Sequence, residues 1–305
     1  MEGKKGRKER IIEFCNYHKN GDGECNNVVL KAWANKHCQS LQDKYELAYF
    51  FSITYCVESA IILFENRSNI FADTISWATK NKGSILFQSD RKYIRMKDSF
   101  VKVLQNFKKI QSVDDFLAKV QRDGIIRLSL AIPYVSSWVM FGRFSAFLFL
   151  ETFVELTGFK IENTTIVWKD GNTATSGLMN VFGFDKEADY FDKTGTLLLS
   201  PMDMDKMLEY LIEAIKKSGG NVNVTEIETS LCAYRKFYKA SRYNGYYLDR
   251  MLEEIYAMSE NYPQISQELL DIRKSHFDSR YLGEVSGWRG IRKPMKKKYL
   301  ETGLI

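Results

Sequence analysis

"LSLAIPYVSSWVMFGRFSAFLFLETFVELTG", residues 128–158, is the stretch on which the fold class turns. It is long enough to tempt a membrane assignment, but a spanning helix needs about 20 consecutive apolar residues without charges. Pro133, Gly142 and Arg143 interrupt this run, and Glu151 and Glu155 follow. The other strongly apolar stretch, "YELAYFFSITYCVESAIILFEN" at 45–66, contains Glu46 and Glu58. Segments that are apolar nearly all round, yet too broken or too charged for lipid, belong in the core of a soluble domain. No membrane is expected among the partners.

Outward from these two stretches the helical period continues. Apolar residues recur at three- and four-residue intervals over 41–66, 98–121, 125–157, 203–218, 224–239 and 246–260, predicting a helix in each. "SPMDMDKMLEYLIEAIKKSGG" supplies its own ends: Ser200 or Asp203 as the cap, acids in the first turn, then lysines and Gly219-Gly220. "SVDDFLAKV" opens likewise on Ser112 with Asp114 and Asp115 behind it. One strand candidate stands out, a small hairpin near 82–97. Four prolines in 305 residues and no Gly/Ser-rich linker favour a continuous helical body. The expected fold is mostly α with at most a small β-hairpin. Residues 1–40 form a basic extension, 41–285 the helical domain and 286–305 a basic tail.

Lys and Arg number 44 against 38 Asp and Glu, a net charge of +6 that suits a polyanionic partner without demanding one. The excess is concentrated in "KKGRKER" (4–10) and "WRGIRKPMKKKY" (288–299). These read equally as arms that neutralise phosphates and as solvated termini kept soluble by lysine. The five cysteines are odd in number and lack framework spacing, which points to a reducing, intracellular setting. Cys15, His18, Cys25, His37 and Cys38 contain no C-x-x-C pair, so free thiols in a core are preferred to a zinc site and no cofactor is expected.

Several motifs fail on context. "FDKTGTLLLS" (191–200) matches the aspartyl-phosphate signature of ion-pumping ATPases, with Asp192 as nucleophile. Those pumps need a bundle of spanning helices and place Gly-Asp-Gly downstream, whereas Gly21-Asp22-Gly23 comes first here. An Asp-Lys-Thr-Gly turn accounts for the residues. There is no G-x-x-x-x-G-K-[ST] loop, no strand-bounded G-x-G-x-x-G and no G-x-S-x-G elbow.

Three segments carry residue types that packing alone does not ask for. "FCNYHKNGD" (14–22) puts Asn16, Lys19 and Asp22 within one or two turns, as a polar site or as a capped loop before a helix at 27–37. In the apolar run, Arg143, Glu151 and Glu155 are costly unless paired or used. After them come Trp168 and a polar turn at 170–177 with Gly171, Asn172 and Gly177. A turn of that kind can offer backbone N–H groups to a phosphate, or simply connect two helices. "EIETSLCAYRKFYKASRYNGYY" (226–247) interleaves Glu228, Cys232, Arg235, Lys236, Lys239 and Arg242 with tyrosines. That mixture suits phosphate contact and base stacking, or a surface face with its stems on the core.

Together these segments resemble the thymine-hypermodification proteins of phages, the α-glutamyl/putrescinyl thymine pyrophosphorylases, and the helical domain beside 5-hydroxymethyluracil DNA kinases. The F-x-N-x-x-R/K-x-x-D stretch is matched by Phe14, Asn16, Lys19 and Asp22. Trp168, Gly171, Gly177 and Leu178 match the Trp and Gly-rich turn leading into a "GL" helix. Glu228, Leu231, Cys232 and Lys236 match the final pattern. The central turn reads "GNTATSG", departing from the Gly-Pro-Gly form of the kinase-linked relatives.

The resemblance implies a fold similar to helix-hairpin-helix DNA glycosylases. It also implies a reaction that replaces pyrophosphate on 5-(pyrophosphoryloxymethyl)uracil in DNA with the amine of an amino acid or polyamine. Lys236, Lys239 and Arg143 are then candidates for the leaving oxygens, Glu151 or Glu228 for the general base, and Trp168 for holding an extruded base. Asn16, Lys19, Asp22, Gly171, Asn172, Gly177, Cys232 and Arg242 are candidate substrate or DNA contacts. A separate hydroxymethyluracil DNA kinase is the implied partner, and host cytoplasm the implied location if the source is viral. The alternative is a non-catalytic nucleic-acid-binding module.

Overall fold

The computed structural model describes residues 6–17, 25–88, 94, 96–110, 112–162, 172–220, 224–238 and 246–277. Among them are fifteen α-helices and one three-stranded sheet of two-residue strands, the mostly α architecture expected from the apolar spacing. No described helix is long and apolar enough to cross a membrane. The chain divides into two units, one of residues 1–25, 163–249 and 278–305, the other of 26–162 and 250–277.

The larger unit is organised by the two apolar stretches. Helix α3 (Leu41–Thr54) buries every residue from Leu47 to Thr54, and packs on α10 (Arg143–Thr157). Tyr45 stands edge-on to Phe149 and Phe153, while Tyr49, one turn later, stacks on Phe141 just before α10. Rising numbers on one helix meet falling numbers on the other, so the pair is antiparallel. Edge-to-face aromatic pairs contribute about 0.5–1.5 kcal/mol beyond their buried area. The Tyr49 hydroxyl donates to the Val103 carbonyl at 2.7 Å and accepts from the Asn106 amide at 3.2 Å, so its burial leaves no orphaned group.

Each long apolar run breaks once. The helix expected over 41–66 becomes α3 and α4 (Val57–Glu65), with Tyr55 in the left-handed region at φ 53°. That conformation costs a residue with a side chain roughly 1–2 kcal/mol. The Tyr55 N–H still donates to the Phe51 carbonyl at 2.7 Å, closing the helix as a glycine usually would. The run 125–157 becomes α9 (Leu128–Ser136), which contains Pro133, and α10, separated by a turn with Met140 at φ 65°. The run 98–121 likewise splits into α7 (Lys97–Phe107) and α8 (Val113–Val120), the latter capped by Ser112 as its sequence predicts.

The strand expectation at 82–97 is corrected. Residues 82–84 form a 3-10 turn, and no strand is assigned in the described part of that stretch. The hairpin forms instead from β1 (Gln121–Arg122) and β2 (Ile125–Ile126), with β3 (Lys160–Ile161) parallel to β2. Asp123 at φ 52° and Gly124 at φ 76° join the first two strands. Asp-Gly is favoured there because both central positions of such a turn need positive φ.

The smaller unit contains α1 (Arg7–Tyr17), α11 (Asn172–Phe182), α12 (Pro201–Lys217), α13 (Val224–Tyr238) and the first turn of α14 (Tyr246–Met258). Helix α12 has the ends its sequence announces: Ser200 accepts from the Asp203 N–H at 3.2 Å, Pro201 opens the first turn, and Gly219 follows the last at φ 86°. Ile11 and Phe14 from α1, Leu178 from α11, Leu208 from α12 and Leu231 from α13 share one core. Part of the opening basic segment is used here. Arg7 forks onto Asp185 at 2.8 and 2.9 Å, and Lys8 lies 4.5 Å from the Tyr210 ring centre. The Asp192 segment is a turn. The Asp192 carboxylate accepts from the N–H groups of Thr194 and Thr196, each at 2.8 Å, which with the Thr194 hydroxyl holds it below the usual carboxylate range.

Candidate functional site

The motif residues of the smaller unit meet on α13. Leu231 and Tyr234 turn into the core, while Glu228, Cys232 and Lys236 recur every fourth residue along a half-buried face. Helix α11 lies against α13 at a point of backbone contact. A Cβ on Gly177 would sit 2.7 Å from the Leu231 carbonyl carbon and nearer still to its oxygen. Only a residue without a side chain permits this approach. The polar stretch from Asn172 onward is helix, which begins earlier than the sequence suggested, and Thr175 and Ser176 within it are buried. Helix α1 reaches the same helix: Phe14 meets the Tyr234 ring at 5.7 Å, and the Cys15 thiol is hydrogen-bonded to Ser230. Burial pushes the Cys15 thiol up to about 12, so it packs as a small apolar group and not as a nucleophile.

Phe14, Gly177-Leu178 and Leu231-Cys232 thus come from three separate stretches of sequence and converge on α13. Asn16 and Asn172 are placed by backbone only, as the last-but-one residue of α1 and the first of α11. Lys19, Asp22, Trp168, Gly171, Lys239 and Arg242 lie outside the described residues.

A family model described as amino acid:DNA transferase matches residues 18–243. The chain belongs to that family. The matched span takes in α11, α13 and their contact as well as Arg143 and Glu151, and begins shortly after Phe14 and Asn16. No curated protein matches the chain.

Arg143 and Glu151 belong to the larger unit of the transferase, where both are half-buried on α10. Eight residues of helix separate them by about 12 Å along the axis. Glu155 is paired with Lys31 at 2.8 Å. His37, which the sequence offered as a metal ligand, stacks on Trp33 at 4.4 Å and meets Glu268 at 2.9 Å.

The sequence reading passed over one buried acid of the transferase. Glu58, on α4, is 1% exposed, and one of its oxygens accepts from the Ser266 hydroxyl on α15 (Pro263–His276). Its other oxygen, Oε2, is buried with no hydrogen-bond partner among the described residues. Glu254, on α14, is close enough to repel it and is itself held by Arg250 at 3.0 Å and Gln88 at 3.4 Å. Burial pushes the Glu58 carboxyl up to about 7, with the Ser266 hydrogen bond opposing and Glu254 adding to the rise. Its signal is present in the sequence: the charge inside "CVESAIILF" that speaks against a membrane span also requires a protein partner. Glu46, another acid of that run, is paired with Arg67 at 3.2 Å.

Proposed function

We propose that the protein replaces the pyrophosphate of 5-(pyrophosphoryloxymethyl)uracil in DNA with the amine of an amino acid or polyamine. The observation that carries this reading is the meeting of Gly177-Leu178 with Leu231-Cys232 at α13, inside the span matched by the amino acid:DNA transferase family, with Phe14 joining them from just ahead of that span. In the reaction the amine nitrogen forms a bond to the base's exocyclic methylene as the C–O bond breaks, its electron pair leaving with pyrophosphate. Lys236 and Lys239 stabilise the leaving oxygens, where charge grows most in the transition state. Glu228 takes the proton that the incoming ammonium must lose before it can attack. Arg143 and Glu151 offer the same two chemistries on the larger unit.

Trp168 holds the base once it leaves the stack. Asn16, Lys19, Asp22, Gly171, Asn172, Cys232 and Arg242 contact the DNA or the co-substrate. A separate kinase supplies the pyrophosphorylated base, and action on DNA implies an intracellular place of work. Gly177 supports the site by packing α11 on α13.

The test is nucleoside mass spectrometry on DNA bearing the pyrophosphorylated base, after incubation with the protein and a pool of amino acids and polyamines. An adduct mass identifies both the reaction and its amine. Glu228→Gln or Lys236→Ala is expected to lower turnover at least 100-fold, the scale set by loss of a general base or a charge-stabilising group, while the protein stays folded. No adduct, with a working transferase as positive control, overturns the reading in favour of a nucleic-acid-binding module.

A further inference from the structure

Because α3 and α10 are antiparallel, the C-terminal end of α3 and the N-terminal end of α10 lie at the same end of the pair. Two of the three non-glycine residues with positive φ among the described residues are found there, Tyr55 at 53° and Met140 at 65°. Strained backbone persists where the surrounding structure enforces it, and it gathers at functional sites. The Tyr55 ring stands edge-on to Phe144, 6.0 Å between centroids. Phe144 is in the first turn of α10 and leaves 49% of its surface exposed, although Phe149 and Phe153 on the same helix are fully buried. Arg143 immediately precedes it. An aromatic pair that reaches the surface, with an arginine next to it in sequence, is the combination that takes a base on a π-face and the adjoining phosphate on a cation.

We propose that Tyr55 and Phe144, with Arg143, form a stacking platform for an unstacked base of the DNA substrate. The choice of DNA as occupant, with Arg143 as its phosphate contact, rests on the transferase reading; the ring pair rests on geometry alone. Stacking of this kind is indifferent to base identity, since every base has a π-face, so the platform grips the strand while other groups recognise the modified base.

The experiment is fluorescence anisotropy with the full chain and two fluorescein-labelled single strands of equal length, one of thymidines and one abasic throughout. Loss of one stacked base weakens binding roughly 5- to 150-fold. Phe144→Ala and Tyr55→Gly are therefore expected to weaken binding to the thymidine strand at least about 5-fold, leave the abasic strand within about twofold of wild type, and remain folded, with a cooperative melt. Phe144→Trp restores the affinity. Tyr55→Gly is an informative partner because glycine accepts the left-handed conformation, so its loss cannot be put down to backbone damage.

Three results overturn the platform: wild-type binding by Phe144→Ala, equal weakening on both strands, or no preference of the wild type for thymidine over abasic DNA. Adduct formation is scored separately. Ring-dependent binding without an adduct sinks the transfer reaction and keeps the platform, and an adduct with ring-independent binding does the reverse.

Discussion

Glu58 joins a buried side chain to a measurable pH dependence. Its carboxyl is held near 7 in the folded protein, against about 4.5 when exposed to water. The folded state therefore keeps a proton that the unfolded chain has already released over that interval. Stability from this group is fully present below about 4.5 and is lost as pH rises through 7. The whole effect is at most about 3 kcal/mol, from 1.36 kcal/mol per tenfold change in proton affinity. Glu254 faces Glu58, and burial raises its carboxyl in the same direction, so the two reinforce each other. Thermal melts of the wild type between pH 5 and 8 should show a falling melting temperature. Glu58→Gln should flatten that slope and melt higher than wild type at pH 8; an unchanged slope would show that the carboxyl does not titrate in this range.

Among helices, the decisive contact is that of α11 with α13. Gly177→Ala forces a methyl group into the Leu231 carbonyl, and overpacking against backbone costs about 1–3 kcal/mol. An unfolding free energy from chemical denaturation lowered by that amount is expected, and a variant as stable as wild type would mean that the helices part without cost. How much of this was legible beforehand varied from element to element. The caps of α8 and α12 act over three residues, so Ser112, Ser200, Pro201 and Gly219 could be read directly. The break at Tyr55 could not, because tyrosine in a left-handed cap carries no local signal. Asp123-Gly124 did carry the hairpin signal, and the apolar alternation near residue 85 drew attention away from it. Gly177 was visible as a glycine, but its cause, the Leu231 carbonyl, lies 54 residues further along the chain. Of the candidate site, the residues on α13 were picked out by charge and spacing. Glu58 was missed because its partners Ser266 and Glu254 come from distant segments.

For the molecule as a whole, the division into two units predicts a local response to local damage. Hydrogen exchange reports the opening of each cooperative part separately. Gly177→Ala should raise exchange in peptides from α1, α11, α12 and α13, and leave those from α3 and α10 at wild-type rates. A uniform rise across the chain would show that the units unfold as one. The smaller unit is also discontinuous in sequence, its first helix lying far upstream of the others it packs with. Some 150 residues separate the end of α1 from the start of α11. At ~5–20 residues per second the ribosome takes on the order of 10–30 s to make them. Through that delay Ile11 and Phe14 have left the exit tunnel with nothing to cover them, while all of 26–162 has been made. During synthesis, therefore, α1 is made long before the helices that cover it, and it is an apolar segment for a chaperone to hold through that interval.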